Sequence, residues 1–200
     1  LSSNYSFDGF GGKRAFDYAR SGNPTRSQLG EALSRLERGA GAVVTSSGMS
    51  AVDLVLSPLQ AGALVLAPHD AYGGTWRLFD ARARKGQIEI AFIDQSQPDQ
   101  LAAALAKKPA LVWIETPSNP LMRVLDISAV ARQAKAVGAT VAVDNTFLSP
   151  LLQKPLELGA SSFILSFSAA RLSPGLISFS STINGEPITP ASPALRLIRG

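Results

Sequence analysis

Between residues 27 and 165 the apolar positions switch back and forth between two periods. In SQLGEALSRLERG (27–39), Leu29, Leu33 and Leu36 recur at helical spacing and Gly39 offers a stop, which predicts a helix with a leucine face. AVVTS (42–46) then reads as a strand, and a helix follows from about Met49 to Leu59. ALVLA (63–67) predicts the next strand and GTWRLFDARARKG (74–86) the next helix. The alternation runs on through IEIAFI (88–93), LAAALAKK (101–108), ALVWIE (110–115), ISAVARQAKAVG (127–138) and TVAVDN (140–145). Short apolar runs joined by helices predict strands buried on both faces. The expected fold is α/β, a doubly wound and mostly parallel sheet with helices on both sides.

In such sheets ligands bind outside the carboxyl ends of the strands, so the loops after each strand carry the candidate chemistry. They are Ser46 to Met49, Pro68 to Gly74, Glu115 to Pro120 and Asp144 to Thr146. TSSGMSAV (45–52) turns from strand to helix through Ser-Ser-Gly, which is either a phosphate site on free backbone N–H groups or a simple capped turn. Asp144 closes an apolar strand and can meet a cationic ligand nitrogen or a metal, or cap its own turn. Tyr72, ahead of two glycines, is a turn anchor or a flat ring on which a planar ligand stacks. Together these pieces ask for one ligand with a phosphate, a ring and a ring nitrogen, and pyridoxal 5′-phosphate (PLP) has all three. A carboxylate facing its pyridine nitrogen keeps that nitrogen protonated and makes the ring an electron sink.

Composition narrows the field without changing this reading. Two hundred residues at 46% hydrophobic suit one ordinary domain. There is no cysteine and His69 is the sole histidine, so disulfides are excluded and a zinc site is not expected. The net charge of +4 is scattered. Arg82, Arg84 and Lys85 close one predicted helix and Lys107 and Lys108 another, where they complement the helix dipole rather than mark a nucleic-acid surface. No apolar run approaches the ~20 residues that span a bilayer. GFGGKR (9–14) has neither a preceding strand nor a following Ser or Thr, so it is neither a dinucleotide nor a Walker loop.

Five motifs in order carry a family resemblance: YARSGNPT (18–25), TSSGMSAV, APHDAYGGTWRLFD (67–80), IETPSNPLMRVLDI (114–127) and VAVDNTFLSPLLQKPLELGA (141–160, counting the strand). The chain resembles the Cys/Met-metabolism family of PLP enzymes. The resemblance implies the aspartate-aminotransferase-like large domain of fold type I. It also implies that Gly48 and Met49 bind the PLP phosphate, and that Tyr18 and Arg20 reach the phosphate of a neighbouring subunit's cofactor. Tyr72 is then the ring stacker and a catalytic group, Asn119 faces the phenolic oxygen, Asp144 pairs with the pyridine nitrogen, and Thr146 lies beneath the ring. A homodimer or tetramer in the cytoplasm follows, acting on a small amino-acid substrate, with no nucleic acid and no membrane. The implied activity is γ-replacement on an O-acylhomoserine by cysteine. Family members that act as γ-lyases or sulfhydrylases share the motifs.

The tail departs from the family. By resemblance, a strand after LGA leads into Ser-X-Thr-Lys, whose lysine forms the Schiff base. An ungapped alignment sets Ser166, Phe167, Ser168 and Ala169 there, so two phosphate-binding hydroxyls persist and the lysine position reads Ala169. Arg171 cannot replace it, because a guanidinium stays protonated. Beyond Gly159 the chain holds nine serines and no lysine. We expect an arm over 1–26, a PLP-binding domain over 27–165 and a divergent tail over 166–200, in a fragment without the family's N-terminal segment or C-terminal domain. A chain without the lysine is expected to be inactive, and a catalytically dead PLP-binding or interaction protein is the reading from another class. The tail is either a genuine loss of the lysine or an out-of-frame translation. Translating the coding DNA in its other two frames separates these: a Ser-X-Thr-Lys motif near codon 169 identifies a frame error, and its absence a genuine loss.

Overall fold

Burial on both faces is complete where the sequence is most uniformly apolar. Strand β3 (Leu111–Glu115) is buried at all five positions, and β4 (Thr140–Asp144) at its middle three. The computed structural model describes residues 3–165, together with the backbone of four short segments at 168–169, 179–180, 182–183 and 186–187. Two compact units divide the chain, residues 1–44 and residues 45–200.

In the second unit, β1 (Ala63–Pro68), β2 (Ile88–Ile93), β3, β4 and β5 (Ser162–Ile164) form one sheet in the order β2-β1-β3-β4-β5. Every pairing in it is parallel. The two-residue side-chain period divides the core into two layers. Val65, Leu111, Trp113 and Ala142 face one way, onto Val52 and Leu56 of helix α2 (Gly48–Leu56) and Phe79 of α3 (Gly73–Arg84). Leu66, Val112, Ile114, Val141 and Val143 face the other, onto Leu101 of α4 (Pro98–Leu105) and Val130 and Ala134 of α5 (Ile127–Ala136). Phe79 meets Trp113 edge-on, with ring centroids 5.4 Å apart. Asp53 of α2 takes a forked pair from Arg82 of α3, at 3.0 Å from Nε and 2.7 Å from Nη2, which fixes the two helices side by side. The expected α/β sheet with helices on both faces is thus observed.

The first unit holds the arm and helix α1 (Pro24–Glu37). The helix begins three residues before the predicted start, because Asn23 caps Arg26 N at 3.0 Å and Pro24 supplies the first turn. Arg38 takes the left-handed turn (φ 53°), and Gly39 N closes on Ser34 O at 2.8 Å. The buried stripe is Gly30, Ser34 and Glu37 rather than the leucines, which are half-buried. Chain reversal causes this: Ala42 O lies so close to Gly30 that a Cβ there would stand 3.3 Å from it, so the returning segment covers the small-residue face. Within the arm, Tyr5 N bonds Asp17 O and Ala19 N bonds Ser3 O, a short fold-back around the Asn4–Tyr18 bridge.

The predicted strand at 42–46 is corrected. Those residues belong to no strand, and Val43 is 74% exposed. An extended apolar run becomes a strand only when a neighbour offers a ladder, and among the described residues none does. Helix α2 ends at Leu56, short of the predicted Leu59. No described helix is long and apolar enough to cross a membrane.

The two-layer core makes a sharp contrast between buried and exposed apolar positions. Phe79→Ala is expected to destabilise the second unit by roughly 3–5 kcal/mol in urea unfolding, whereas Val43→Ser changes stability by less than about 0.5 kcal/mol.

Candidate active site

The carboxyl ends of β1, β3 and β4 open on one edge of the sheet, as parallel pairing requires. A cavity of about 330 Å³ lies there, between the first turns of α2 and α3 and the loops after β3 and β4. Ser47 caps α2, its Oγ accepting from Ser50 N at 3.1 Å. That bond leaves Gly48 and Met49 as the first helical residues, whose N–H groups have no partner within the helix and point along its positive end.

Tyr72 is the N-cap residue of α3, with no side-chain capping bond of its own, and is 47% exposed. The ring folds over the helix's first turn. A Cβ on Gly74 would lie 2.5 Å from Tyr72 Cε1 and 2.9 Å from Met49 Sδ, so only glycine leaves room for both side chains. Asp144 ends β4, and its Oδ1 accepts from Thr146 N at 3.0 Å and from Thr146 Oγ1 at 2.5 Å. Burial pushes its pKa above the ordinary carboxyl value, with the two Thr146 bonds opposing. Behind it, Asn145 is fully buried and exchanges bonds with Gln153, donating to Gln153 O at 2.8 Å and accepting from Gln153 Nε2 at 2.9 Å. That exchange pins the loop carrying Thr146.

Asn119, also on the cavity wall, stands in a loop with cis peptides at Thr116-Pro117 and Asn119-Pro120. Ser118 Oγ donates to Asp70 Oδ2 at 2.7 Å, Leu125 N donates to Thr116 Oγ1 at 2.9 Å, and Ser118 N donates to Arg123 O at 2.9 Å. His69 is part of this scaffold. Arg123 Nη1 lies 3.1 Å from its Nε2, and Ile93 O lies 3.4 Å from its Nδ1. The histidine therefore braces a loop.

Glu115, which the sequence placed at the head of a candidate loop but assigned no role, is a further site residue. It is 7% exposed, at the end of β3 and in register with Asp144. Its Oε2 accepts from Tyr72 N at 2.6 Å and its Oε1 from Trp113 Nε1 at 3.0 Å. Burial raises its pKa from the ordinary 4.5 to about 7, with a smaller push from the charge of Asp144 and opposition from the Tyr72 and Trp113 bonds. The signal was present: like Asp144, it is an ionisable residue closing an apolar strand.

The cavity thus brings together Gly48, Met49, Tyr72, Asn119, Asp144 and Thr146. Tyr18 and Arg20 belong to the first unit, where the Arg20 guanidinium lies 5.2 Å over the Tyr18 ring. Ser166 lies outside the described residues, as do the side chains of Ser168 and Ala169. Among the described residues no group of acidic or histidine side chains could hold a metal ion.

Residues 1–169 match the family model described as Cys/Met metabolism PLP-dependent enzyme. The chain belongs to this family. Cystathionine gamma-synthase of Escherichia coli K12 is 56% identical over 161 residues, which are 80% of the chain and 42% of that protein. The cystathionine beta-lyase MetC of Staphylococcus haemolyticus is 43% identical over 159 residues, 80% and 41% respectively. Among solved structures, cystathionine gamma synthase from Xanthomonas oryzae pv. oryzae, in complex with aminoacrylate and cysteine, superposes with a TM-score of 0.77 at 61% identity, covering 80% of the chain and 42% of its own. A cystathionine gamma lyase from Micromonospora echinospora gives 0.74 at 45%, covering 81% and 43%. The chain thus spans about 42% of the length of the synthases it matches. Family membership extends through Ala169 itself, so the aligned region reaches the position where a lysine was expected.

The raised carboxyl pKa makes the stability of this family member pH-dependent. The folded state holds the Glu115 proton more tightly than the unfolded chain does, so the associated stability is complete below pH 4.5 and is lost as pH rises through about 7. Unfolding free energy is expected to fall by up to ~3 kcal/mol across that window. Glu115→Gln removes the Glu115 share of the slope in urea titrations, leaving the dependence of the same sign that Asp144 contributes.

Proposed function

We propose that this chain carries the PLP-binding half of a cystathionine γ-synthase-type enzyme, and that it binds PLP without a covalent link. The observation that supports this reading is the meeting, in one cavity, of a helix N-terminus, an exposed tyrosine and the half-buried Asp144 carboxylate at the end of β4. The residues present fit the cofactor. The Gly48 and Met49 N–H groups suit a phosphate, and the cradle kept open by Gly74 seats Tyr72 for stacking on a planar ring. Bound PLP supplies a sink for negative charge at the Cα of an amino-acid substrate.

The remaining work belongs to the chain's own side chains. Asp144 holds a proton on the ring nitrogen through its carboxylate, and Thr146 steadies that carboxylate through Oδ1. Tyr72 excludes water from one ring face, and its phenol moves a proton near the substrate. Asn119 donates to the phenolic oxygen. In the intact assembly Tyr18 and Arg20 reach the phosphate held by a neighbouring subunit, which makes the working form at least a dimer, located in the cytoplasm. The substrates of the whole enzyme are an O-acylhomoserine and cysteine. Lyase relatives such as MetC of S. haemolyticus make cleavage of cystathionine the second reading.

No lysine, arginine or histidine stands among the described residues lining the cavity, and position 169 is alanine. We therefore expect this chain to be inactive or nearly so. PLP titrated into it is expected to bind reversibly, and borohydride leaves no stoichiometric adduct on the chain by mass spectrometry. Asp144→Asn weakens binding by about tenfold, the loss of one charge-assisted contact. An unchanged dissociation constant in that variant overturns the proposed site. Ala169→Lys, joined to the family's C-terminal domain, should turn over O-succinylhomoserine with cysteine. Cleavage of cystathionine alone by that protein favours the lyase.

A further inference from the structure

The two oxygens of Glu115 face two donors from different elements, the main chain of Tyr72 and the indole of Trp113. Tyr72 has no capping side-chain bond of its own, so the Glu115 carboxylate closes the N-terminus of α3 from a neighbouring strand. In its ionised form this group also meets the positive end of the helix. The position of Tyr72 is then fixed twice. Its amide is tied to Glu115 at 2.6 Å, and its ring is seated on Gly74 beside Met49. Glu115 itself cannot swing away, because β3 is buried throughout and Trp113, fully buried two residues earlier, grips the second oxygen.

We propose that Glu115 is a positioning residue of the cofactor site, acting through Tyr72: by holding the Tyr72 amide it sets the ring where a planar cofactor stacks. The proposal rests on the PLP reading above, yet its geometry precedes any ligand. An amide cannot substitute for this carboxylate. Glutamine offers one accepting oxygen and one donating nitrogen to two N–H donors, so one of the pairs is lost.

The test uses the full chain and the variants Glu115→Gln, Tyr72→Ala and the double variant. Without PLP, the peptide spanning residues 70–76 is expected to exchange its amide hydrogens about tenfold faster in Glu115→Gln than in the parent, as one charge-assisted bond is lost. With PLP, Glu115→Gln is expected to bind about tenfold more weakly and to lose the induced circular dichroism of the cofactor band. In the Tyr72→Ala background the same substitution leaves the dissociation constant unchanged, which a general loss of stability would not produce. If Glu115→Gln fails to fold, Glu115→Asp, which keeps the charge but shortens the reach, is put through the same two measurements with the same expectations. Equal exchange rates, or equal losses in both Tyr72 backgrounds, overturn the proposal. A parent chain that does not bind PLP, with accelerated exchange in Glu115→Gln, overturns the PLP reading and leaves the hold on Tyr72 standing.

Discussion

Everything in the site depends on the register in which β3 and β4 pair. Glu115 stands opposite Asp144, and that match fixes two carboxylates at the ends of adjacent strands whose other residues are almost all buried. A slip by one residue would turn every β4 side chain to the opposite layer, exchanging Val141 and Val143 for Ala142 in the cores they fill. The packing of the two layers therefore guards the chemistry. Valines set the register, and the register delivers the carboxylates.

A buried and a half-buried carboxylate side by side are costly unless each is met by donors. Asp144 is met locally by Thr146, two residues on, while Glu115 is met by Trp113 and by Tyr72 from another element. The difference matters. A local partner makes Asp144 self-contained and available to a ligand, whereas the long-range partner makes Glu115 a tie between the sheet and α3. Burial dominates at both, which is why both pKa values move upward despite these bonds.

Much of this was legible in the sequence wherever a signal is local. The run IEIAFI is β2 residue for residue, and Asp144 was found because a lone carboxylate closing an apolar strand is conspicuous. What failed was long-range. AVVTS has the composition of a strand but no ladder partner among the described residues, and composition cannot report a partner. The leucine face of α1 was overruled by a chain reversal that brought Ala42 onto Gly30, a contact that no periodicity encodes. Glu115 had the same local signature as Asp144, but its role lies in an amide 43 residues away. The five motifs gave the family because they are contiguous pieces of loop. They could not give the tie between two of those loops.

Charge decides what the cavity can receive. Its described lining carries Glu115 and Asp144 and no cationic side chain, so a ligand that is only anionic would meet repulsion at one end. The other end is different in kind, since the first turn of α2 offers amides and a helix dipole without any side-chain charge. A molecule that is cationic at a ring nitrogen and anionic at a phosphate satisfies both ends at once, and its ring bridges them against Tyr72. An alanine at position 169 offers no covalent tether there and leaves the two poles intact. On the proposed reading, recognition and chemistry are separable: the two poles proposed to orient the cofactor lie upstream of residue 150, apart from position 169.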